Sequence, residues 1–465
     1  MVGHDRGAGS RDLRVSGPTA RGIAAGVLVR VEKDRAFASA ALEAELARAV
    51  QMTARDRALA TELVYGALRV RPWLEAELGK RATKGITKLD ATTRAHLCVA
   101  AYQLCFLSRV PAFAAVSECV EVVRRMKGER VAAFANAVLR KTARDLEGDA
   151  HDDAKRVAMR REAVTASTAT WLKDALVRAL GEEGATAFLE ASLDVPPVCL
   201  RVERATERDQ RLAELRAASD ATFELGRVSP LAILARGAGK PQSLPGWSDG
   251  AWAVQEEGSQ LVALALGARE GERVLDACAG RGNKTAILAR AVGERGAVDA
   301  ADLHAAKLEQ LARELSRVGL HARATHAVDW RVGAGDVAAE YDRVLVDAPC
   351  SGTGTLRRRP ELQTRRVAED LASLASLQLA IVSRAAERVR PGGRLVYAVC
   401  SVVREEAEDV VTALLAAHPD FMPAPFEGDA ARAIAGDATS LRLLPSVHGT
   451  DGYFLASFVR RPPDS

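Results

Sequence analysis

Between Pro18 and Arg144, apolar residues recur every three or four positions, the spacing of a single helix face. Ile23, Val27, Leu28 and Val31 make one such face, and Leu42, Leu46 and Ala49 a second. Pro18 falls where a first helical turn tolerates proline. Thr53 is placed to cap a helix carrying Leu59, Leu63, Leu68 and Trp73, with Asp56 in its first turn. Ala95–Leu107 is apolar on nearly all sides, which predicts the central helix of a bundle. Ala114–Val123 and Val131–Leu139 predict two more helices. No strand pattern interrupts them, so residues 18–144 are expected to form an all-α domain.

Residues 145–250 give a weaker pattern. Ala163–Leu180 has helical spacing, with Trp171, Leu172, Leu176 and Leu180 on one side. Asp194-Val195-Pro196-Pro197 breaks any helix, and Val198–Val202 predicts a short strand. We expect a small bridging α+β region. From residue 251 to 461 short Val-, Leu- and Ala-rich runs alternate with helical segments. Predicted strands are Arg273–Cys278, Ala297–Asp302, Arg323–Val328, Arg343–Ala348 and Arg394–Cys400. Predicted helices between them include Ala305–Val318 and Ala368–Val389. That rhythm predicts a doubly wound parallel α/β sheet. Leu441–Leu444 and Tyr453–Val459 flank a His448-Gly449-Thr450-Asp451-Gly452 turn and predict an antiparallel hairpin closing the sheet. Residues 1–17 are expected to be a disordered tail.

The 465 residues correspond to about three domains at roughly 150 each. Apolar residues are 48% and charged residues 27% of the chain, which excludes a collagen-like, mainly disordered or membrane-spanning protein. The net charge of +4 permits a nucleic-acid partner without arguing for one. Seven widely spaced cysteines include no Cys-x-x-Cys pair, so no metal site is expected and free thiols in a cytoplasmic protein are. No signal segment or membrane span is visible, and no membrane partner is expected.

Three motifs lie at predicted strand ends, where open α/β sheets bind ligands. Asp276-Ala277-Cys278-Ala279-Gly280-Arg281-Gly282-Asn283-Lys284-Thr285 follows a strand and opens a helix. Its small residues let backbone approach a ligand closely. Asp302 ends the next strand, in the place where a carboxylate meets a ribose hydroxyl, and Asp329 closes the third. Together these predict a nucleoside-ligand site. The second motif is Asp347-Ala348-Pro349-Cys350-Ser351-Gly352-Thr353-Gly354, and the third is Tyr397-Ala398-Val399-Cys400-Ser401. One cysteine at a strand end is usually structural. Two at neighbouring strand ends, each beside an Asp or Ser, point to catalysis. The run Arg357-Arg358-Arg359, with Arg365-Arg366 beyond it, is either a solvated face or a phosphate contact at the crevice mouth.

These residues resemble a known family. The chain is similar to bacterial RNA cytosine-C5 methyltransferases of the Sun/Fmu type, which act on small-subunit (16S) ribosomal RNA. Asp276–Thr285 resembles their D-x-C-A-A-P-G-G-K-T, Asp347–Gly354 matches D-A-P-C-S-G-T-G, and Tyr397–Ser401 resembles Y-x-T-C-S. Asp451-Gly452-Tyr453-Phe454 resembles D-G-F-F, and Val254-Gln255-Glu256-Glu257 resembles V-Q-D-E. The N-terminal domain resembles NusB, an RNA-binding factor, through Arg55–Ala60, Tyr65–Arg69, Tyr102-Gln103-Leu104, Val110-Pro111-Ala112 and Phe134–Arg140. Gly280, Arg281, Asn283 and Val399 depart from the family pattern. Asn283 stands where the family has glycine, and Asn tolerates positive φ.

The resemblance implies a NusB-like bundle, the bridging region and a Rossmann-like class I methyltransferase domain using S-adenosylmethionine. It implies Cys400 as the thiolate attacking carbon 6 of cytosine, and Cys350 for proton removal and release. It implies Asp347 on the cytosine edge, with Lys284 beside it holding Asp347 ionised or favouring a thiolate. Asp302 would take the donor's ribose, Asp329 its adenine amino group, and the backbone from Cys278 through Ala279, Gly280, Arg281, Gly282 and Asn283 to Lys284 its methionine end. A monomer acting on RNA is expected. A tRNA cytosine-C5 methyltransferase and a non-catalytic RNA-binding or ribosome-assembly factor stand as alternatives. A DNA cytosine methyltransferase would need only the cysteine after proline, so Cys400 and the NusB-like region argue against it.

Overall fold

The computed structural model describes residues 18–82, 85–146, 149 and 152–462. The expected tail, residues 1–17, lies outside the described residues. The chain divides into two units, Met1–Ala163 and Val164–Ser465. The first runs past the boundary read at residue 144, and the second holds most of the bridging region together with the α/β region.

The described residues of the first unit form helices and no strand. Pro18 lies ahead of the first helical turn rather than in it, and Thr19 caps the first helix, Ala20–Lys33, by accepting from the Gly22 amide. Thr53 caps Ala54–Arg69 and Asp90 caps Ala91–Phe106 in the same way. Ala91–Phe106 is buried on nearly every face, as its composition predicts. Gly66 is required where two helices touch, because a Cβ there would lie 2.1 Å from the Tyr102 ring.

The helix expected at Ala163–Leu180 is interrupted. One helix, Asp153–Ser167, ends there, and another runs Thr170–Ala191 across a kink at Gly181, whose φ is 72°. A small antiparallel sheet follows, in the order β2-β3-β1-β4. Its strands are β1 (Val198–Val202), β2 (Thr222–Leu225), β3 (Ala232–Arg236) and β4 (Trp252–Val254). β4 pairs with β1, so this sheet reaches beyond residue 250.

The main sheet comprises β5 (Arg273–Asp276), β6 (Ala297–Asp302), β7 (Ala324–Ala327), β8 (Tyr341–Asp347), β9 (Val389–Val399), β10 (Phe421–Pro423), β11 (Ser440–Leu443) and β12 (Tyr453–Arg460). Its order is β10-β12-β9-β8-β5-β6-β7, with β11 also on β12. β5 to β9 are parallel neighbours. β12 is antiparallel and lies inside the sheet, between β9 and β10. β11 and β12 do form the expected antiparallel pair, with a short helix, Pro445–His448, in the connection. Alternate residues supply two apolar faces. Val274, Val298, Leu345, Val396 and Leu455 face one core, while Leu275, Val344, Val346, Leu395 and Phe454 face the other. Strand order reverses between β5 and β8, which opens a crevice at their carboxyl ends. Among the described residues no helix is long and apolar enough to cross a membrane.

Candidate active site

The first wall of the crevice is the turn after β5. Gly280 (φ 57°) and Gly282 (φ 89°) take the left-handed conformations that reverse the chain. Gly282 has a second reason to be glycine, since a Cβ would lie 2.7 Å from Leu311 Cγ. Asn283 does not take the positive φ expected of it. It is the first residue of the helix Asn283–Val292, with Gly282 as N-cap, so the replacement there costs the turn nothing. Arg281 and Asn283 are exposed. The Asn283 carbonyl accepts from Arg201 Nη1 at 2.7 Å. Arg201 comes from β1, is buried, and is itself held by Glu203 and Gln255 at 2.6 and 2.9 Å. The small sheet therefore grips the turn.

Asp276, fully buried at the end of β5, accepts from Thr285 Oγ1 at 2.8 Å through one oxygen. Its other oxygen has no partner. Burial pushes this carboxyl up to about 6. A buried carboxylate oxygen left open beside a glycine turn fits a ligand ammonium, and so fits the methionine end of S-adenosylmethionine. Asp302 accepts from the amides of Gly280 (3.1 Å) and His304 (2.9 Å), and Lys307 Nζ lies 3.2 Å away. Asp329 accepts from Arg331 through its backbone amide and guanidinium, and the guanidinium holds its carboxyl down to about 2.

The second wall comes from β8 and β9, whose carboxyl ends are in register, with Asp347 paired to Ala398. That pairing delivers Cys350 and Cys400 to one point, their sulfurs 3.2 Å apart. The Gly354 amide donates to the Cys400 carbonyl at 3.1 Å, tying the two loops together. Lys284 Nζ meets Asp347 Oδ2 at 2.6 Å. Burial opposes the ammonium, but Asp347 outweighs it and the lysine's pKa is raised. Lys284 thus stays a cation within electrostatic reach of Cys400. The hydrogen bond with Cys400, followed by burial, pushes the Cys350 thiol well up. Burial does the same to Cys278, which lies within reach of Asp276, Asp347 and Asp302. The structure therefore joins the glycine turn, Lys284, Asp347 and both cysteines in one crevice. Asp302 and Asp329 stand at the ends of the next two strands. Among the described residues no cluster of His, Cys, Asp or Glu is arranged to hold a metal ion.

Arg357 and Arg358 depart from the phosphate-contact reading of the arginine run. Arg357 is buried, and its Nε donates to Asp451 Oδ1 at 2.5 Å. Arg358 donates to the other Asp451 oxygen at 2.9 Å and to the Pro197 carbonyl at 3.1 Å. The Asp451 amide in turn donates to Glu256 at 2.9 Å. These two arginines neutralise a carboxylate in the D-G-Y-F segment and stitch it to the cysteine loop. Sequence reasoning also passed over Arg201, Glu406 and the open oxygen of Asp276. Asp276 opens the first strand-end motif, whereas nothing local marks Arg201 or Glu406.

The sequence profile of the 16S rRNA methyltransferase RsmB/F family matches residues 263–459, and that of the NusB family matches residues 18–144. The chain is 32% identical to the probable ribosomal RNA small subunit methyltransferase B of Bacillus subtilis, over 95% of this chain and 98% of that one. It is 37% identical to a putative methyltransferase of Mycobacterium tuberculosis, over 99% and 100%. The solved structure of the protein PH0851 covers 94% of this chain and 98% of its own, with a TM-score of 0.77 at 22% identity, and so shares the fold.

Proposed function

The chain belongs to the 16S rRNA methyltransferase RsmB/F family, and from that premise we propose that it methylates carbon 5 of a cytosine in 16S rRNA through a covalent Cys400–cytosine adduct. The observation that carries this reading is the 3.2 Å approach of two cysteine sulfurs at adjacent strand ends, beside a Lys284–Asp347 ion pair. Carbon 5 of cytosine is a poor nucleophile until a thiolate adds at carbon 6 and makes it an enamine carbon. Cys400 supplies that thiolate, and the Lys284 cation offsets the charge on the attacking sulfur. Asp347 receives the cytosine edge. The base must leave its stack to enter the crevice.

S-adenosylmethionine supplies an electrophilic methyl group. The glycine turn and the open oxygen of Asp276 would hold its methionine end, and Asp329 its adenine amino group. Asp302 takes two backbone amides already, so a ribose hydroxyl would replace Lys307, whose side chain is only half-buried. The proton on carbon 5 then passes to Cys350, and the Cys400–carbon bond breaks to regenerate the thiolate. Cys350 must first lose its own thiol proton, and its sulfur, 3.2 Å from that of Cys400, stands beside carbon 5 once the adduct has formed. RNA affinity is assigned to the NusB-like unit.

The test uses a denaturing gel with unmodified 16S rRNA and S-adenosylmethionine. Cys400→Ala should abolish both turnover and any slow-migrating protein–RNA band. Cys350→Ala should accumulate that band, because attack precedes release. A band with Cys400→Ala and none with Cys350→Ala reverses the two roles. Normal methylation by both variants overturns the mechanism.

A further inference from the structure

Cys350 sits on a loop that is clamped on both sides by buried polar groups. On one side, Gln378 Nε2, from the helix Ala368–Ala386, donates to the Pro349 carbonyl at 3.0 Å. On the other, the Ser351 amide donates to Glu406 Oε1 at 2.8 Å, and the Ser351 hydroxyl donates to Glu406 Oε2. Gln378 also donates to Glu406 Oε1 at 2.9 Å, so one carboxylate closes the whole clamp. Tyr397, three residues before Cys400, donates to the Glu406 carbonyl at 2.7 Å. A hydroxyl chain completes the link, since Thr353 Oγ1 lies 2.9 Å from Ser401 Oγ. Glu406, Ser351, Thr353, Ser401, Gln378 and Tyr397 are all buried. A buried carboxylate is costly unless hydrogen bonds hold it, and here they come from Ser351, on the Cys350 loop, and from Gln378, which also holds the Pro349 carbonyl of that loop.

We infer that Glu406 is a positioning residue for the release step, holding the Cys350 loop so that its sulfur stays against Cys400. The inference rests on the reading of the two cysteines given above. Glu406 touches neither cysteine side chain and acts through Ser351. Its loss leaves the Ser351 amide and Gln378 without their shared acceptor and lets Cys350 drift from the carbon-5 proton. Attack by Cys400 needs no help from this clamp, so methyl transfer should survive better than release.

The experiment compares wild type, Cys350→Ala, Glu406→Ala, Glu406→Gln and Ser351→Ala. Each is mixed with unmodified 16S rRNA transcript and labelled S-adenosylmethionine. Single-turnover methyl transfer, release rate and the covalent band are read separately. Glu406→Ala should transfer methyl at close to the wild-type rate but release product more slowly, on the order of a hundredfold, with the band accumulating. Glu406→Gln should restore most of the release rate. Its amide oxygen still accepts from Ser351 and Gln378, and the Ser351 hydroxyl can rotate to accept from its NH2 group. Ser351→Ala keeps the backbone bond and should show the same defect in smaller measure, and it decides the matter if Glu406→Ala does not fold. Wild-type release and no band in Glu406→Ala would overturn the inference. So would slowed methyl transfer without a band while Cys350→Ala does trap RNA. If Cys350→Ala itself traps nothing, the reading of the two cysteines fails and this inference falls with it.

Discussion

Replacing Arg357 by Met should destabilise the second unit and leave RNA binding nearly untouched. Arg357 and Asp451 are both buried, with relative exposures of 5% and 2%. Removing one partner of a buried pair commonly costs about 3–5 kcal/mol, because the other charge is left uncompensated. Arg358 still holds the second Asp451 oxygen, which places the expectation near the lower end, about 3 kcal/mol. The unit spans Val164–Ser465, roughly 300 residues. Unfolding entropy of about 2.1 cal/mol/K per residue then gives a Tm shift of about 5 °C. The assay is calorimetry of the variant, followed through the second unit's transition. Arg357→Lys, which keeps the charge but loses the fork, should fall between the variant and the wild type. In parallel, the salt dependence of RNA binding should be unchanged, because this guanidinium is already engaged by Asp451. A Tm within a degree of wild type, together with a salt slope shallower by about one, would return Arg357 to the RNA backbone and refute the reasoning.

Asp276 has a folded value of about 6, above the ordinary 3.8, so its ionisation works against folding. The penalty grows as pH rises from about 4 to 6 and reaches on the order of 3 kcal/mol above that. Asp276→Asn should therefore be more stable than wild type at pH 7.5, equal to it near pH 4, and weaker in binding S-adenosylmethionine. Denaturant titrations at both pH values and calorimetry with the donor check this, and an Asn variant less stable at pH 7.5 contradicts it. The two turn glycines should separate sharply. Gly282→Ala meets both a φ of 89° and the Leu311 side chain, whereas Gly280→Ala has no atom within 4 Å and only a φ of 57° to overcome, about 1 kcal/mol. Donor affinity should collapse in the first and persist in the second, and the opposite order would show that the turn is misassigned.

The parallel strands were legible because each is a short apolar run bounded by turn residues. β1 and β6 span the ranges their sequences predict. The cysteine pair was legible because both thiols stand at strand ends, and strand ends share one edge of the sheet. What stayed hidden depended on partners distant in sequence. Arg357 lies in a run that looks solvated, and its counter-charge, Asp451, is 94 residues away. Glu406 reads as one acid in a charged turn, and only Ser351, 55 residues earlier, shows what it does. The helix expected at Ala163–Leu180 was misjudged for another reason. Apolar spacing continues smoothly across Ser167-Thr168-Ala169, so periodicity alone does not reveal the break. Asn283 looks like a glycine substitute because tolerance of positive φ is local, whereas the place where the helix starts is set by the turn as a whole.

The position of β12 governs how the site comes into being. It is the last strand in chain order, yet it lies between β9 and β10, against the strand that ends beside Cys400. During synthesis β9 is therefore an open edge until residues 453–460 arrive, and Asp451 reaches Arg357 only then. Until that moment the strand leading to Cys400 is a bare template for pairing with other chains, and a buried guanidinium lacks its anion. Catalytic competence is thus granted late and all at once. A chain stopped near residue 450 should be no slower version of the enzyme, but an incomplete sheet that exposes its two strand-end thiols and associates with its neighbours.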